Sequence, residues 1–385
     1  MRTIAVLGST GSIGASTLDV VRRQPGAWSI TALAAGRDVE TLVAQAKEFG
    51  PEIVALGEAT RAKELAERLA QVGGKAARAR VVAGPPGVIE AAGAAEIVVN
   101  ALVGAAGLAP TLAAIERGAR LALANKESLV VAGSWVTRRA RETGAEIVPV
   151  DSEHSGLFQC LASGQAEGVE RLFLTASGGP LRRHPDWRRA KPAEVLNHPV
   201  WRMGQRITTD SATLLNKGFE VIEARWLFDV ELDRIGVLVH PQAIVHAIVE
   251  WKDGSQIAQL SVPDMRLPIQ VALSWPERLE APIPRLDLAG LGRLEFEPVD
   301  PARFPLFGVA REAAMAGGLA PAVLNAADEE AVRLFHEGRI SLGELVDLCT
   351  RVVEARPSGE ADSLGAIEQA DRWAREEVRR VAVGS

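Results

Sequence analysis

The chain has no tyrosine, only four methionines and only two cysteines among its 385 residues. It also lacks any apolar run approaching the roughly 18 residues that a membrane-crossing helix requires. Without tyrosine, no phenol can act as a general acid, which removes the short-chain dehydrogenases that protonate a carbonyl in that way. Cys160 and Cys349 lie far apart, so a disulfide framework is excluded as the organising principle and a reducing compartment is expected. Cys160 sits in the apolar stretch "LFQCLASG" rather than in the electropositive setting of a nucleophilic thiolate, which argues against an aldehyde-oxidising semialdehyde dehydrogenase. A basic excess is missing too. With 43 Lys and Arg against 49 Asp and Glu, the net charge is -6 and nucleic acid is not the expected partner. No signal-peptide pattern precedes the first strand and no membrane partner is expected, so the expected location is cytoplasmic.

What is present is an ordinary globular composition, 47% hydrophobic and 24% charged, in a chain long enough for about two or three domains. Residues 1–150 alternate short apolar runs such as "TIAVLG" and "EIVVNALVG" with helical stretches. This is the rhythm of an α/β domain with a Rossmann-like parallel sheet. Residues 151–285 change character and are expected to form a central α/β domain carrying metal and substrate. A long Pro, Arg, His and Trp-rich stretch at 178–204 reads as a lid. Residues 286–305 read as a linker and 306–385 as a C-terminal helical domain, with Ser341 and Glu344 spaced as a capping box.

Directly after the first strand comes "GSTGSIG", with Gly8, Gly11 and Gly14 three apart. Such a turn lets backbone approach a pyrophosphate and frees the next helix N-terminus to receive it, so a dinucleotide is expected. The second strand ends in Ala35, Gly36 and Arg37. NAD-binding domains usually carry an acid there; an arginine favours the 2'-phosphate of NADP instead. In "ALANKES", Asn125, Lys126 and Glu127 emerge at the carboxyl end of another strand, where open parallel sheets bind ligands.

The stretch "VPVDSEHSGLF" places Asp151, Ser152, Glu153 and His154 after an apolar strand. If strand geometry continues through them, Asp151 and Glu153 point to one side and a hard divalent ion would relieve their repulsion; otherwise the stretch is a turn with a helix N-cap at Ser152 or Ser155. A strong helix is expected near 212–228, with an apolar stripe of Leu215, Phe219, Ile222 and Trp226. Asn216 and Glu220 share a face beside it, with Lys217 three positions before Glu220, and Asp210 or Ser211 could cap this helix. Upstream, "TASGGP" supplies Ser177 with a glycine hinge.

Together with "PVDSEHS", "NHPVWRMG" and "DSATLLNKGFEVIEA", these motifs resemble, over essentially the whole chain, the 1-deoxy-D-xylulose 5-phosphate reductoisomerase family. The resemblance implies a metal-dependent rearrangement of that ketose phosphate and NADPH-dependent reduction to 2-C-methyl-D-erythritol 4-phosphate, on the route to isoprenoid precursors. It implies a homodimer whose Asp151, Glu153 and Glu220 hold Mg2+, Mn2+ or Co2+. Lys126, Ser152, Glu153, Ser177, His198, Trp201, Ser211, Asn216, Lys217 and Glu220 would meet the sugar phosphate, with Lys126, Asp151, Glu153, Glu220 and His198 catalytic. Thr10, Gly11, Ser12, Ile13, Gly36, Arg37, Asp38, Asn125, Glu127 and Gly204 would meet NADPH. Asp38 stands where some relatives have Asn. Retro-aldol cleavage with recombination is the route the resemblance favours, while the residues themselves leave a concerted shift and the proton carrier open. The other histidines, His154, His184, His240, His246 and His336, read as structural or surface residues. A non-enzymatic NADP sensor would need neither three carboxylates nor a lid.

Overall fold

Ile4 to Leu7 are fully buried in β1 (Arg2–Leu7), the central strand of a seven-stranded sheet. Its neighbours are β2 (Trp28–Ala35), β3 (Ile53–Leu56), β4 (Arg80–Ala83), β5 (Ile97–Asn100), β6 (Arg120–Leu123) and β7 (Glu146–Pro149). The order is β4-β3-β2-β1-β5-β6-β7 and every pairing is parallel. Most of these strands are apolar along their whole length, as a sheet covered by helices on both faces requires. Strand order reverses between β1 and β5, so the loops after these two strands frame the switch point where such sheets bind ligands.

The computed structural model describes residues 1–383 and divides into two compact units. The first holds this sheet and comprises Met1–Ser128, Val136–Ser155 and Asp264–Pro284. The last piece corrects an expectation, since the sequence reading placed it in the central domain. Its helix Arg266–Ser274 packs on the helix Ser12–Arg23: Arg266 is 3.2 Å from Asp19, and Arg120 donates to the Trp275 carbonyl at 2.8 Å. Nothing local in 264–284 signals this return; the partners are supplied by distant sequence.

The second unit comprises Leu129–Trp135, Gly156–Pro263 and the chain from Arg285 onward. Its sheet has the order β11-β10-β8-β9-β12, from β8 (Val169–Ala176), β9 (Ile235–Val239), β10 (Val245–Trp251), β11 (Gln256–Leu260) and β12 (Glu297–Pro298). Only β8 and β9 run parallel. The helix Leu215–Phe228 lies on β8 and β9 and against the helix Pro305–Ala316. Leu215, Phe219 and Ile222 are buried as the stripe predicts, and Trp226 is half-buried. The helices Ala320–His336, Leu342–Glu354 and Leu364–Val383 follow, and the Ser341–Glu344 capping box forms at the start of the second of these. Residues 384 and 385 of the expected helical region lie outside the described residues. The stretch 286–305 is more than a linker: β12 extends the sheet beside β9, and Phe304 is buried with Ala176 and Leu214.

The expected lid is only partly free of the body of this unit. Leu181, Ala190 and Val195 are buried, Arg182 pairs with Glu297 at 2.7 Å and Arg188 with Asp347 at 2.6 Å. A short helix, Pro192–Val195, ends the anchored part. Beyond it, 196–204 has no helix or strand, and Leu196 is exposed. Among the described residues, no helix is long and apolar enough to cross a membrane.

Candidate functional site

In the first unit the glycine turn is built as the spacing predicts. The amides of Gly8 and Ser9 both donate to the Ala34 carbonyl at 2.8 Å, tying the turn to the end of β2. A Cβ at Gly14 would collide with the Gly8 carbonyl and Ser9 Cα, so the turn closes only around glycine. Gly11 occupies the N-cap of the helix Ser12–Arg23 without a side-chain cap, and Gly11 and Ser12 are exposed, flanked by half-buried Thr10 and Ile13. An uncapped, exposed helix N-terminus held by a glycine turn has the donors and the dipole to take a pyrophosphate.

Gly36, Arg37 and Asp38 lie exposed after β2. Asp38 is engaged locally: it caps the helix Val39–Phe49 by accepting from the Thr41 amide at 3.1 Å, and bonding by Thr41 holds its carboxyl below the ordinary value. Sequence reasoning missed a second cation here. Arg61 donates to the Arg37 carbonyl and pairs with Glu64 at 2.9 Å, which brings its guanidinium beside Arg37. A Rossmann-like sheet sets β3 beside β2, but no local signal marks Arg61 as the residue whose side chain reaches back to Arg37.

Asn125 is buried with its amide already occupied. It donates to the carbonyls of Leu102 and Gly104, each at 2.9 Å, and accepts from the Ser128 amide at 3.1 Å. Glu127 accepts from the Gly104 amide at 3.1 Å. These two residues therefore hold the loop after β5, which presents Val103 with 74% of its surface exposed. That loop, at the switch point, was another omission of the sequence reading.

Lys126 is buried and its ammonium lies 2.5 Å from Asp151. Strand geometry does not continue through "DSEHS". β7 ends at Pro149, the Asp151 carbonyl accepts from the Ser155 amide at 2.8 Å, and the helix Ser152–Leu161 begins. Residues two apart on a helix point to different sides, so the period-two argument for Asp151 and Glu153 fails. The Glu153 carboxylate instead accepts from Ser152 Oγ at 2.7 Å. The side chain brought near Asp151 is His154, fully buried, with a ring nitrogen within 4.8 Å of a carboxylate oxygen of Asp151.

In the second unit the expected helix near 212–228 is broken. Leu214 adopts φ 60°, separating a helix Gln205–Ala212 from the helix Leu215–Phe228. Asp210 and Ser211 thus lie in the last turn of the first helix and do not cap the second. The expected face does form: Asn216 donates to Glu220 at 2.5 Å, and Lys217 pairs with the other oxygen of Glu220. Lys217 and Glu220 are both almost wholly buried. A carboxylate so placed has its charge offset by an ammonium and an amide donor.

Ser177 follows β8 and reaches the same neighbourhood through a glycine. A Cβ at Gly179 would collide with the Ser211 carbonyl, so the chain after Ser177 runs directly against the end of the 205–212 helix. His198 Nδ1 accepts from the backbone amides of Val200 at 3.2 Å and Trp201 at 2.9 Å, and its Nε2 lies 3.1 Å from Ser177 Oγ. With Nδ1 accepting, the proton of the neutral ring sits on Nε2 and is donated to Ser177. Ser177 Oγ also accepts from the Gly179 amide at 3.2 Å, so its own hydroxyl proton remains for a ligand. Burial lowers the His198 pKa from its ordinary value, favouring the neutral form. Trp201 is half-buried, its ring 6.5 Å from that of His246, and Gly204 is exposed at the N-cap of the 205–212 helix.

The donor chemistry suits a hard ion and a phosphorylated ligand: carboxylates backed by lysines, the exposed helix N-terminus after the glycine turn, and the Ser177 hydroxyl.

Comparison with known proteins points to one family over nearly the whole chain. The family model of 1-deoxy-D-xylulose 5-phosphate reductoisomerase matches residues 4–133, and two models of C-terminal domains of that enzyme match residues 147–228 and 260–377. The 1-deoxy-D-xylulose 5-phosphate reductoisomerase of Chlorobium phaeovibrioides is 50% identical over 98% of each chain. That of Moorella thermoacetica is 48% identical over 100% of this chain and 99% of its own. A crystal structure of DOX-P reductoisomerase with NADPH, fosmidomycin and magnesium superposes with a TM-score of 0.94 at 38% identity, covering 99% of this chain and 98% of the other. The Zymomonas mobilis enzyme in complex with NADPH gives 0.92 at 39% identity and 99% of both chains.

Proposed function

The chain belongs to the 1-deoxy-D-xylulose 5-phosphate reductoisomerase family, and from that premise we propose how its residues divide the work. The activity is the NADPH-dependent rearrangement and reduction of 1-deoxy-D-xylulose 5-phosphate in isoprenoid biosynthesis, and NADPH and a divalent metal ion are its cofactors. The single observation that carries this is the near-50% identity to enzymes of this name over nearly the full length of both chains.

The turn of Thr10, Gly11, Ser12 and Ile13 receives the pyrophosphate of NADPH, on the uncapped N-terminus of the 12–23 helix. Arg37, with Gly36 and Asp38 beside it, takes the 2'-phosphate, and Arg61 adds a second positive charge there. Asn125 and Glu127 act by fixing the 102–104 loop, and Gly204 lends a backbone contact to the cofactor. NADPH supplies the hydride for the reduction.

Asp151, Glu153 and Glu220 would hold one divalent ion, and Ser152, whose hydroxyl donates to Glu153, would meet the substrate. His154 offers a nitrogen donor near Asp151, but magnesium prefers oxygen ligands, so the three carboxylates are the set we adopt. When bound, the ion polarises a ketose carbonyl and stabilises negative charge on the neighbouring oxygen.

Lys126 offsets the charge of Asp151, with which it pairs, and stands ready to hold or pass a proton at Nζ. Asn216 and Lys217 orient Glu220 and extend toward the sugar. Ser177, with its spare hydroxyl proton, and Ser211 bind the phosphate, and His198 fixes the Ser177 hydroxyl in the donating orientation. The strap 196–204, carrying Trp201, closes over the substrate and excludes water. The enzyme works as a homodimer in the cytoplasm. Two buried cysteines with no disulfide suit a reducing compartment, and the family resemblance supports the dimer.

The test follows NADPH absorbance with 1-deoxy-D-xylulose 5-phosphate and Mg2+. Oxidation in proportion to sugar phosphate, abolished by chelation, is the expected result; a chain that binds NADPH but oxidises none with this substrate would overturn the assignment.

A further inference from the structure

Arg206 lies on the 205–212 helix and is only 15% exposed. Its guanidinium donates to Asn325 Oδ1 at 2.7 Å, to Glu329 Oε1 at 2.7 Å and to Asp328 Oδ2 at 3.2 Å, three successive contacts along the helix Ala320–His336. It also faces Asp210 of its own helix at 3.7 Å and stacks over the Phe219 ring at 5.9 Å. Asn325 and Asp328 are fully buried. Burial pushes the Asp328 carboxyl up to about 6 against the pull of Arg206, so this is a desolvated network rather than a solvated surface pair. One turn further, Thr209 Oγ1 donates to the Gln205 carbonyl at 2.9 Å and therefore accepts from His336 Nε2, also 2.9 Å away. Glu329 is gripped from its other side by Arg375 of the helix Leu364–Val383.

Two turns of one eight-residue helix are thus fixed by polar side chains to the C-terminal helices, and the free end of that helix carries Ser211. Past Ser211 the chain turns through Leu214, at φ 60°, directly into Asn216 and Lys217. The Ser211 carbonyl packs against Gly179, two residues from Ser177. Rotation or sliding of this helix would shift Ser211 and, through Gly179, Ser177.

We propose that Arg206 is a positioning residue for phosphate binding: it anchors the 205–212 helix to Asn325, Asp328 and Glu329, and so sets where Ser211 and Ser177 meet the phosphate of the substrate. This rests on the assignment of those serines to phosphate in the proposed function. Arg206 touches neither substrate nor cofactor in this account. Its contacts come from three different nitrogens of a planar fan, Nε, Nη1 and Nη2, a spread that the compact ammonium of a lysine does not reproduce.

The experiment compares the full-length enzyme with Arg206→Lys and Glu329→Gln. Steady-state kinetics should show KM for the sugar phosphate raised tenfold or more in Arg206→Lys and severalfold in Glu329→Gln, with KM for NADPH unchanged and kcat within about threefold. The dissociation constant for inorganic phosphate, measured by calorimetry without turnover, should rise in parallel. A role confined to stability would instead lower the melting temperature and leave both phosphate constants untouched, and that result overturns the inference. Should Arg206→Lys fail to fold, Glu329→Gln decides by the same criteria. Failure of the parent enzyme to oxidise NADPH would count against the proposed function, whereas phosphate binding that is unchanged in the variants would count against Arg206.

Discussion

His198 Nε2 lies 3.1 Å from Ser177 Oγ while its Nδ1 accepts from the amides of Val200 and Trp201. One imidazole therefore folds the strap 198–201 and orients the serine hydroxyl. This arrangement requires the neutral ring, because protonated Nδ1 has no lone pair to accept the two amides. Burial holds the His198 pKa below its ordinary 6.5. The sign follows: the unstructured strap binds the proton more readily, so strap order is fully present above pH 6.5 and is lost as pH falls through 6.5 and then through the lowered value. Proteolysis within 196–204 should accelerate on acidification in the parent protein. In His198→Gln it should be fast throughout, with little pH dependence. A parent protein with no pH dependence would refute the tautomer argument.

Arg37→Ala should weaken NADPH by roughly ten- to a hundredfold, the loss of a charge-assisted hydrogen bond, and NADH far less. Arg61→Ala should act in the same direction and more weakly, since Arg61 is shared with Glu64 and the Arg37 carbonyl. Fluorescence titration with both cofactors measures this. Equal losses for NADPH and NADH would remove the 2'-phosphate from the account.

Gly14→Ala should abolish NADPH binding. The added Cβ meets the Gly8 carbonyl and Ser9 Cα, all backbone, so the turn must open rather than a side chain step aside. The second unit should keep its fold, visible as an unchanged far-ultraviolet signature of its helices. Wild-type affinity in this variant would show that the turn is not the pyrophosphate site.

The first strand and its glycine turn were legible because their signal is local: a buried apolar run, then glycines where only glycine fits. The Asn216–Lys217–Glu220 face was legible for the same reason, being a matter of helical spacing. The break at Leu214 was not, since "SATLLNKG" has no proline, and no glycine or asparagine stands at the residue that takes φ 60°. The helix that begins at Ser152 was legible only as one of two alternatives, a helix N-terminus near Ser152 or Ser155, because the strand before it also let Asp151 and Glu153 be read as strand neighbours. Arg61, the 264–284 segment and the Arg206 network were illegible in a deeper sense. Their partners come from distant sequence, and only tertiary packing brings them together.

The central claim is that Asp151, Glu153 and Glu220 serve one ion although they come from separate parts of the chain. The measurement that tests it most directly is a Mg2+ titration of NADPH oxidation in the parent, Asp151→Asn and Glu220→Gln enzymes, with NADPH affinity measured alongside. The account predicts that both variants bind NADPH normally, lose most of their turnover, and need much higher Mg2+ to recover any of it, as expected when a hard ion loses an anionic ligand. Unchanged turnover with an unchanged Mg2+ requirement in either variant would contradict the shared three-carboxylate site.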